Sequence, residues 1–115
     1  MAEDYKAYQA HLQKGLAQLG REIPGPMGGF SQLHSKGMGD GALSTRVKEL
    51  MALAISITVR CEGCIAYHLR DALEAGATRE EILETIGVAI VMGGGPATVY
   101  AVYALDALEQ FAPSA

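Results

Sequence analysis

Basic residues are scarce in this chain, with nine lysines and arginines against thirteen acidic residues, a formal net charge of −4 and a pI near 5.2. No basic stripe is present to neutralise phosphates, which argues against nucleic-acid binding. An anionic membrane surface is an equally poor partner. Long apolar runs are missing as well. The longest, Leu50 to Val59, is interrupted by Ser56 and Thr58 and falls short of the roughly 20 residues that a membrane-spanning helix needs. Met1 to Gly20 is polar and amphipathic without an apolar centre, so no secretory signal is visible and a cytoplasmic location is expected. Charge of either sign is low at 19%, while half the residues are hydrophobic. A single domain of 115 residues (1–115) with that composition has more apolar surface than a small monomer hides, and a homo-oligomer is expected.

No alternating strand pattern and no internal repeat appears. The periodicity predicts an all-α fold of five main helices with a short sixth. Apolar positions at three- and four-residue spacing place the first helix over Ala2 to Leu19, closed by Gly20. Ile23-Pro24-Gly25-Pro26 interrupts, and the glycine-rich stretch to Ala42 reads as loop with a short helix at Phe30 to Ser35. Ser44 is an N-cap candidate for a helix to about Val59, apolar nearly all round and therefore covered by neighbours. The next helix starts near Cys61 and ends at Gly76. Thr78-Arg79-Glu80-Glu81 is a capping box opening another, broken at Gly93-Gly94-Gly95, after which Pro96 suits the first turn of a last helix ending near Phe111.

Cysteine is the rarest chemistry here, and its placement is what matters. Both cysteines fall in Cys61-Glu62-Gly63-Cys64, with His68 four residues on and Glu49 one helix upstream. On an α-helix these spacings bring both thiols and the imidazole to one face. In a reducing compartment a permanent structural disulfide is not expected, so such a pair points to redox catalysis or to metal. A thiol attacks only as its thiolate, and an unperturbed cysteine, with a pKa of about 8.5, is mostly protonated at neutral pH. The first turn of the predicted helix, Arg60 and His68 all favour ionisation, His68 by taking the thiol proton directly or through a water. If its helix doubles back, Glu49 orients that imidazole, completing a nucleophile, base and orienter.

Glu49, Cys61-x-x-Cys64, His68, then Ala72, Gly76 and Glu80-Glu81-Ile82, followed by Gly93-Gly94-Gly95-Pro96-Ala97 and Tyr100, resembles the AhpD-like (alkylhydroperoxidase D / carboxymuconolactone decarboxylase) superfamily over residues 45–111. The resemblance implies an all-helical fold of small subunits, commonly trimers or hexamers, and a peroxidase cycle without a cofactor. It assigns Cys64 as the nucleophile toward a hydroperoxide and Cys61 as the thiol that resolves the sulfenic acid. His68 and Glu49 become the proton relay, and a dithiol reductant, a lipoylated or thioredoxin-type protein, restores the thiols. One position departs: the peroxidase members carry a histidine directly before the second cysteine, where this chain has Gly63. That departure weakens the relay toward peroxide or tunes it toward general disulfide reduction. The dithiol argues against lactone decarboxylation.

Two rivals remain beside the redox reading. Cys61, Cys64, His68 and Glu49 form a four-ligand zinc set, although structural zinc sites usually draw on two separated pairs. The other is an oligomeric scaffold in which the cysteines serve as small core residues. The triple glycine reads as close helix packing rather than an anion cradle. Tyr100, Tyr103, Met51 and Met92 read as core or pocket wall, Arg60 as structural, and His11 and His34 as without a role.

Overall fold

In the computed structural model the described residues are 4–113, and they fold into six α-helices with no strand among them. The helices are α1 (Tyr5–Glu22), α2 (Pro24–Met38), α3 (Thr45–Thr58), α4 (Glu62–Glu74), α5 (Arg79–Gly93) and α6 (Gly95–Phe111). The expected start of the first helix at Ala2 lies outside the described residues; Asp4 caps it, accepting from the Ala7 amide at 3.0 Å. Ser44 caps α3 through the Val47 amide, as its type and position suggested. The capping box at Thr78 and Glu81 is present in both directions. Its own Thr78 amide and then Arg46, which reaches across from α3, hold the Glu81 carboxyl below the usual glutamate range.

The expected short helix at Phe30 to Ser35 is instead the fifteen-residue α2. Pro24 and Pro26 lie in its first turn, where proline's fixed φ suits a helix and its missing N–H costs nothing. Glycine was read as a breaker, but it lowers helix stability by only about 1 kcal/mol per residue and does not forbid the conformation. α2 buries none of its residues in this chain and leans on α1, touching α3 lightly.

The core is built by α3, α4, α5 and α6, with α3 lying against α4 and α5 and α6 closing over both. Leu53 and Ile57 from α3, Ile65 and Leu69 from α4, Ile82 from α5 and Leu108 from α6 are fully buried. α6 faces inward with Ala97, Ala101, Ala104 and Ala107, small residues that let helix backbones approach closely. The same closeness explains one of the three consecutive glycines. A Cβ at Gly93 would stand 2.7 Å from the Ala97 Cβ and 3.3 Å from Thr58 Cγ2. Gly94 supplies the positive φ, 69°, at the α5–α6 corner.

The methionines depart from expectation. Met51 is 49% exposed and Met92 77% exposed, so neither is core. Helices α3 and α5 are apolar nearly all round, and four helices of this one chain can cover only their inner faces. Tyr100 and Tyr103 do pack against the core, edge to face with ring centroids 5.2 Å apart. No helix among the described residues is long and apolar enough to cross a membrane.

Candidate functional site

The site begins at the corner between α3 and α4. Helix α3 ends in a pair of closing hydrogen bonds: the Arg60 amide donates to Ile57 O at 3.2 Å and the Cys61 amide to Ser56 O at 3.1 Å. This is the arrangement usually built around a glycine in the left-handed region. Here Arg60 occupies it with φ 61°, the one described non-glycine residue at positive φ. Backbone strain of this kind costs on the order of 1 kcal/mol and tends to collect at functional sites. Its effect is local and definite: the corner throws Cys61 into an extended conformation, so that it serves as the N-cap of α4.

As N-cap, Cys61 accepts through Sγ from the Cys64 amide at 3.2 Å. That N–H stands ready as a donor for negative charge developing on this sulfur. Cys64 lies one turn into α4, and the two sulfurs are joined in a disulfide across a Cα–Cα distance of 5.2 Å. Both cysteines are half-buried.

His68 follows one turn later on α4, and Glu49 reaches it from α3. The His68 Nδ1–H donates to Glu49 Oε1 at 2.7 Å. Glu49 is 4% exposed, the one buried charged residue among the described residues. An ionised carboxylate only accepts, so the bond places the proton on Nδ1 and leaves Nε2 of neutral His68 as the proton acceptor. The condition attached to Glu49 in the sequence, that α3 double back along α4, is met.

Three further residues belong to this neighbourhood, and the sequence pattern singled out none of them for it. Asp71, one turn beyond His68, completes a group with Glu49 and His68 whose ligand-type atoms all lie within 4.8 Å of one another. It accepts from Arg70 Nε at 3.2 Å and Nη2 at 2.8 Å, so its charge is already balanced by a guanidinium. Arg70 is itself fixed: with its amide turned to present oxygen, the buried Gln9 of α1 accepts from Arg70 Nη1 and Nε, each at 3.1 Å. The i,i+3 spacing of His68 and Asp71 was a readable signal. The third is His34, assigned no role from the sequence. It rides on α2 with its ring stacked on His68, centroids 6.4 Å apart at 24°, and Phe30 one turn earlier lies 6.4 Å from His34. Nothing in the sequence could have found it, because the contact joins two helices across 34 positions.

Of the rival four-ligand zinc set, the two sulfurs are bonded to each other in this state, and the ligand-type cluster consists of Glu49, His68 and Asp71. Gly63, where the resembling peroxidases have histidine, is covered by α1: a Cβ there would stand 3.1 Å from Leu12 Cδ1 and 3.4 Å from the Tyr8 hydroxyl. A hollow of about 370 Å³ is lined by α1 residues from His11 to Glu22, none of them in the site.

Comparison with known proteins agrees with the helical fold. Residues 24–107 match the model of the carboxymuconolactone decarboxylase family. An uncharacterized protein from Cupriavidus necator is 36% identical over 112 residues, covering 95% of this chain and 99% of its own. Among solved structures, a carboxymuconolactone decarboxylase family protein from Legionella pneumophila superposes with a TM-score of 0.90 at 42% identity, covering 93% of this chain and 96% of its own. Another, from Thermotoga maritima, for which involvement in an antioxidative response has been suggested, gives 0.82 at 31% identity over 90% and 88% of the two chains.

Proposed function

The chain belongs to the carboxymuconolactone decarboxylase family, and from that premise and the site geometry we propose that it is a thiol-dependent antioxidant oxidoreductase that reduces hydroperoxides. The observation that carries the proposal is the half-buried Cys61–Cys64 pair at the head of α4 with the Glu49-oriented His68 one turn behind it. A peroxidase of the peroxiredoxin type needs a nucleophilic sulfur, a second thiol within bonding reach and a group to manage protons. Each has a candidate here.

In the proposed cycle the reduced Cys64 gives its proton to His68 and attacks the terminal oxygen of the hydroperoxide. The O–O bond breaks, Cys64 becomes a sulfenic acid, and the departing alkoxide takes the proton from His68 and leaves as alcohol. Cys61 then attacks the Cys64 sulfur, and hydroxide leaves with a proton as water. The disulfide that results is the state in which the two sulfurs are bonded. A dithiol reductant, lipoylated or thioredoxin-type, supplies two electrons and two protons to restore both thiols. Glu49 holds His68 in the tautomer that presents Nε2 and stabilises it when charged. A cytoplasmic setting fits the need for such a reductant.

The proposal includes the assembly. Met51, Ile55 and Val59 form an exposed apolar line along α3, and Val88, Val91 and Met92 do the same on α5. Monomers rarely leave such surfaces in water. A homo-oligomer, trimer or hexamer, covers them, and light scattering is expected to return three or six times the 12.1 kDa subunit. A 12.1 kDa particle at micromolar concentration would refute the assembly.

The test of the chemistry is mass spectrometry of reduced, metal-free protein before and after a near-stoichiometric organic hydroperoxide, with thiols counted by alkylation. The expected product has lost two hydrogens and links Cys61 to Cys64. Survival of both thiols would end the peroxidase reading.

A further inference from the structure

His68 stands beside two carboxylates. Glu49 of α3 accepts from its Nδ1 at 2.7 Å, and Asp71 of α4 brings a further carboxylate oxygen into the same group, all within 4.8 Å of one another. A second negative charge at that range favours a proton on the imidazole. A base that receives a thiol proton must be neutral beforehand, so an unbalanced Asp71 would work against the role proposed for His68. What balances Asp71 therefore bears on the relay.

Arg70 balances it, with Nε and Nη2 both donating to Asp71 Oδ1. The guanidinium is braced from two further sides. The buried Gln9 of α1, its amide oxygen turned inward, accepts from Nη1 and Nε, and the Tyr67 ring lies beneath, 5.4 Å from the guanidinium carbon. Glu74, one turn on, also approaches Nε, at 3.8 Å, but it is 68% exposed and water screens it. Arg70 and Asp71 are only 26% and 23% exposed, so their charges are felt by their neighbours with less screening. The groups around His68 are thus Glu49 from α3, Arg70 and Asp71 from α4, and His34 from α2, whose ring stacks on it. The two sulfurs at the head of α4 are bonded to each other and carry no charge in this state.

We propose that Arg70 is a positioning residue for the redox site: held by Gln9 over the Tyr67 ring, it offsets the Asp71 charge and thereby leaves His68 free to accept the thiol proton. The proposal rests on the reading of His68 as the group that takes that proton. Without the guanidinium, Asp71 stays where α4 places it, one turn beyond His68, and its charge adds to that of Glu49. His68 then holds a proton to higher pH, and no side chain has to move for this to happen. Without the Asp71 carboxylate the sign reverses. Gln9 and Tyr67 keep the cation in place, and it opposes charge on the ring.

The experiment follows the ring resonances of the three histidines by NMR while full-length protein in its disulfide form is titrated through neutral pH. His68 is identified by its loss in His68→Ala, and His34 is read on its own resonances. In Arg70→Met, which keeps an apolar stem in place, the His68 midpoint is expected to move up by roughly 0.5 to 1 pH unit, the scale of one charge several ångströms away in a partly solvated site. In Asp71→Asn it is expected to move down, and in the double variant to return close to that of the unmodified protein. A merely structural role would lower the melting temperature of both single variants and would not move the midpoint in opposite directions. No shift in a folded Arg70→Met protein, or shifts of one sign in both single variants, overturns the proposal. Should Arg70→Met not fold, Asp71→Asn decides alone: a downward shift supports the proposal, and an unmoved or raised midpoint refutes it. The readout needs neither a free thiol nor a hydroperoxide. A protein inert to peroxide that still shows the opposed shifts would remove the peroxidase reading and keep this one, and an active peroxidase without them would do the reverse.

Discussion

Cys64→Ser is expected to abolish hydroperoxide consumption, whereas Cys61→Ser is expected to permit one oxidation and then stop. The difference follows from the two roles proposed for sulfurs that are near neighbours in the chain. A serine at position 64 offers no thiolate to break the O–O bond, and loss of the covalent nucleophile costs on the order of a thousandfold or more in rate. With serine at position 61, Cys64 still attacks once, but no thiol remains to displace hydroxide from the sulfenic acid. The product is one equivalent of alcohol per subunit and a trapped Cys64 sulfenic acid, open to over-oxidation. Stopped-flow consumption of an organic hydroperoxide, paired with dimedone labelling of sulfenic acid, separates the variants. In the disulfide state the Cys64 amide donates to Cys61 Sγ, a donor that would stabilise charge on that sulfur in either role, so the two variants and not the geometry decide the order. A burst from Cys64→Ser with none from Cys61→Ser would reverse the two roles. Equal activity in Cys64→Ser and the unmodified protein would remove the nucleophile assignment altogether.

How far the sequence reached can be judged from particular residues. Ser44, Thr78, Glu81 and Gly76 act over three or four residues through hydrogen bonds that their own types dictate, and the helix ends they mark were legible. The register of Cys61, Cys64 and His68 is likewise a local property of one helix end. Glu49 is different. Its contact with His68 spans 19 residues, and periodicity could state only the condition under which it forms. Helix α2 was misread because composition describes propensity, and four glycines between Pro24 and Gly29 and at Gly37 lower that propensity without abolishing it. With the extent of α2 went His34, since no local rule places a residue of one helix over a ring 34 positions away. Tyr5 is fully buried, and the partner of its hydroxyl, Glu62 of the Cys61–Cys64 motif, depends on how α1 docks, which periodicity within one helix does not fix. The exposed Met51 and Met92 have the same lesson in reverse: sequence records that a face is apolar, and the covering surface need not belong to the same chain.

Glu49→Ala and His68→Ala are expected to slow hydroperoxide reduction to a similar extent while differing in stability, and the asymmetry is the informative part. Either change dismantles a relay in which a positioned base takes and returns one proton, an effect of about a hundredfold or more. Stability separates them because burial is unequal: the Glu49 side chain is 5% exposed and the His68 side chain 21%. Removing Glu49 leaves an imidazole that reaches water for a replacement partner. Removing His68 strands a carboxylate in the interior with its best donor gone, and breaking a buried pair from that side costs about 3 kcal/mol or more. Urea unfolding of the oxidised protein at pH 7 is therefore expected to rank His68→Ala well below Glu49→Ala. Glu49→Gln dissects the relay further. The amide oxygen still accepts from Nδ1–H and preserves the tautomer, but it no longer stabilises the charged imidazole that forms while the thiol proton is held. Its rate should fall between those of the unmodified protein and Glu49→Ala. A Glu49→Gln protein as fast as the unmodified one would mean that the carboxylate only aims the ring. One as slow as Glu49→Ala would mean that its charge carries the effect, and with it the case for His68 as the group through which the thiol proton passes.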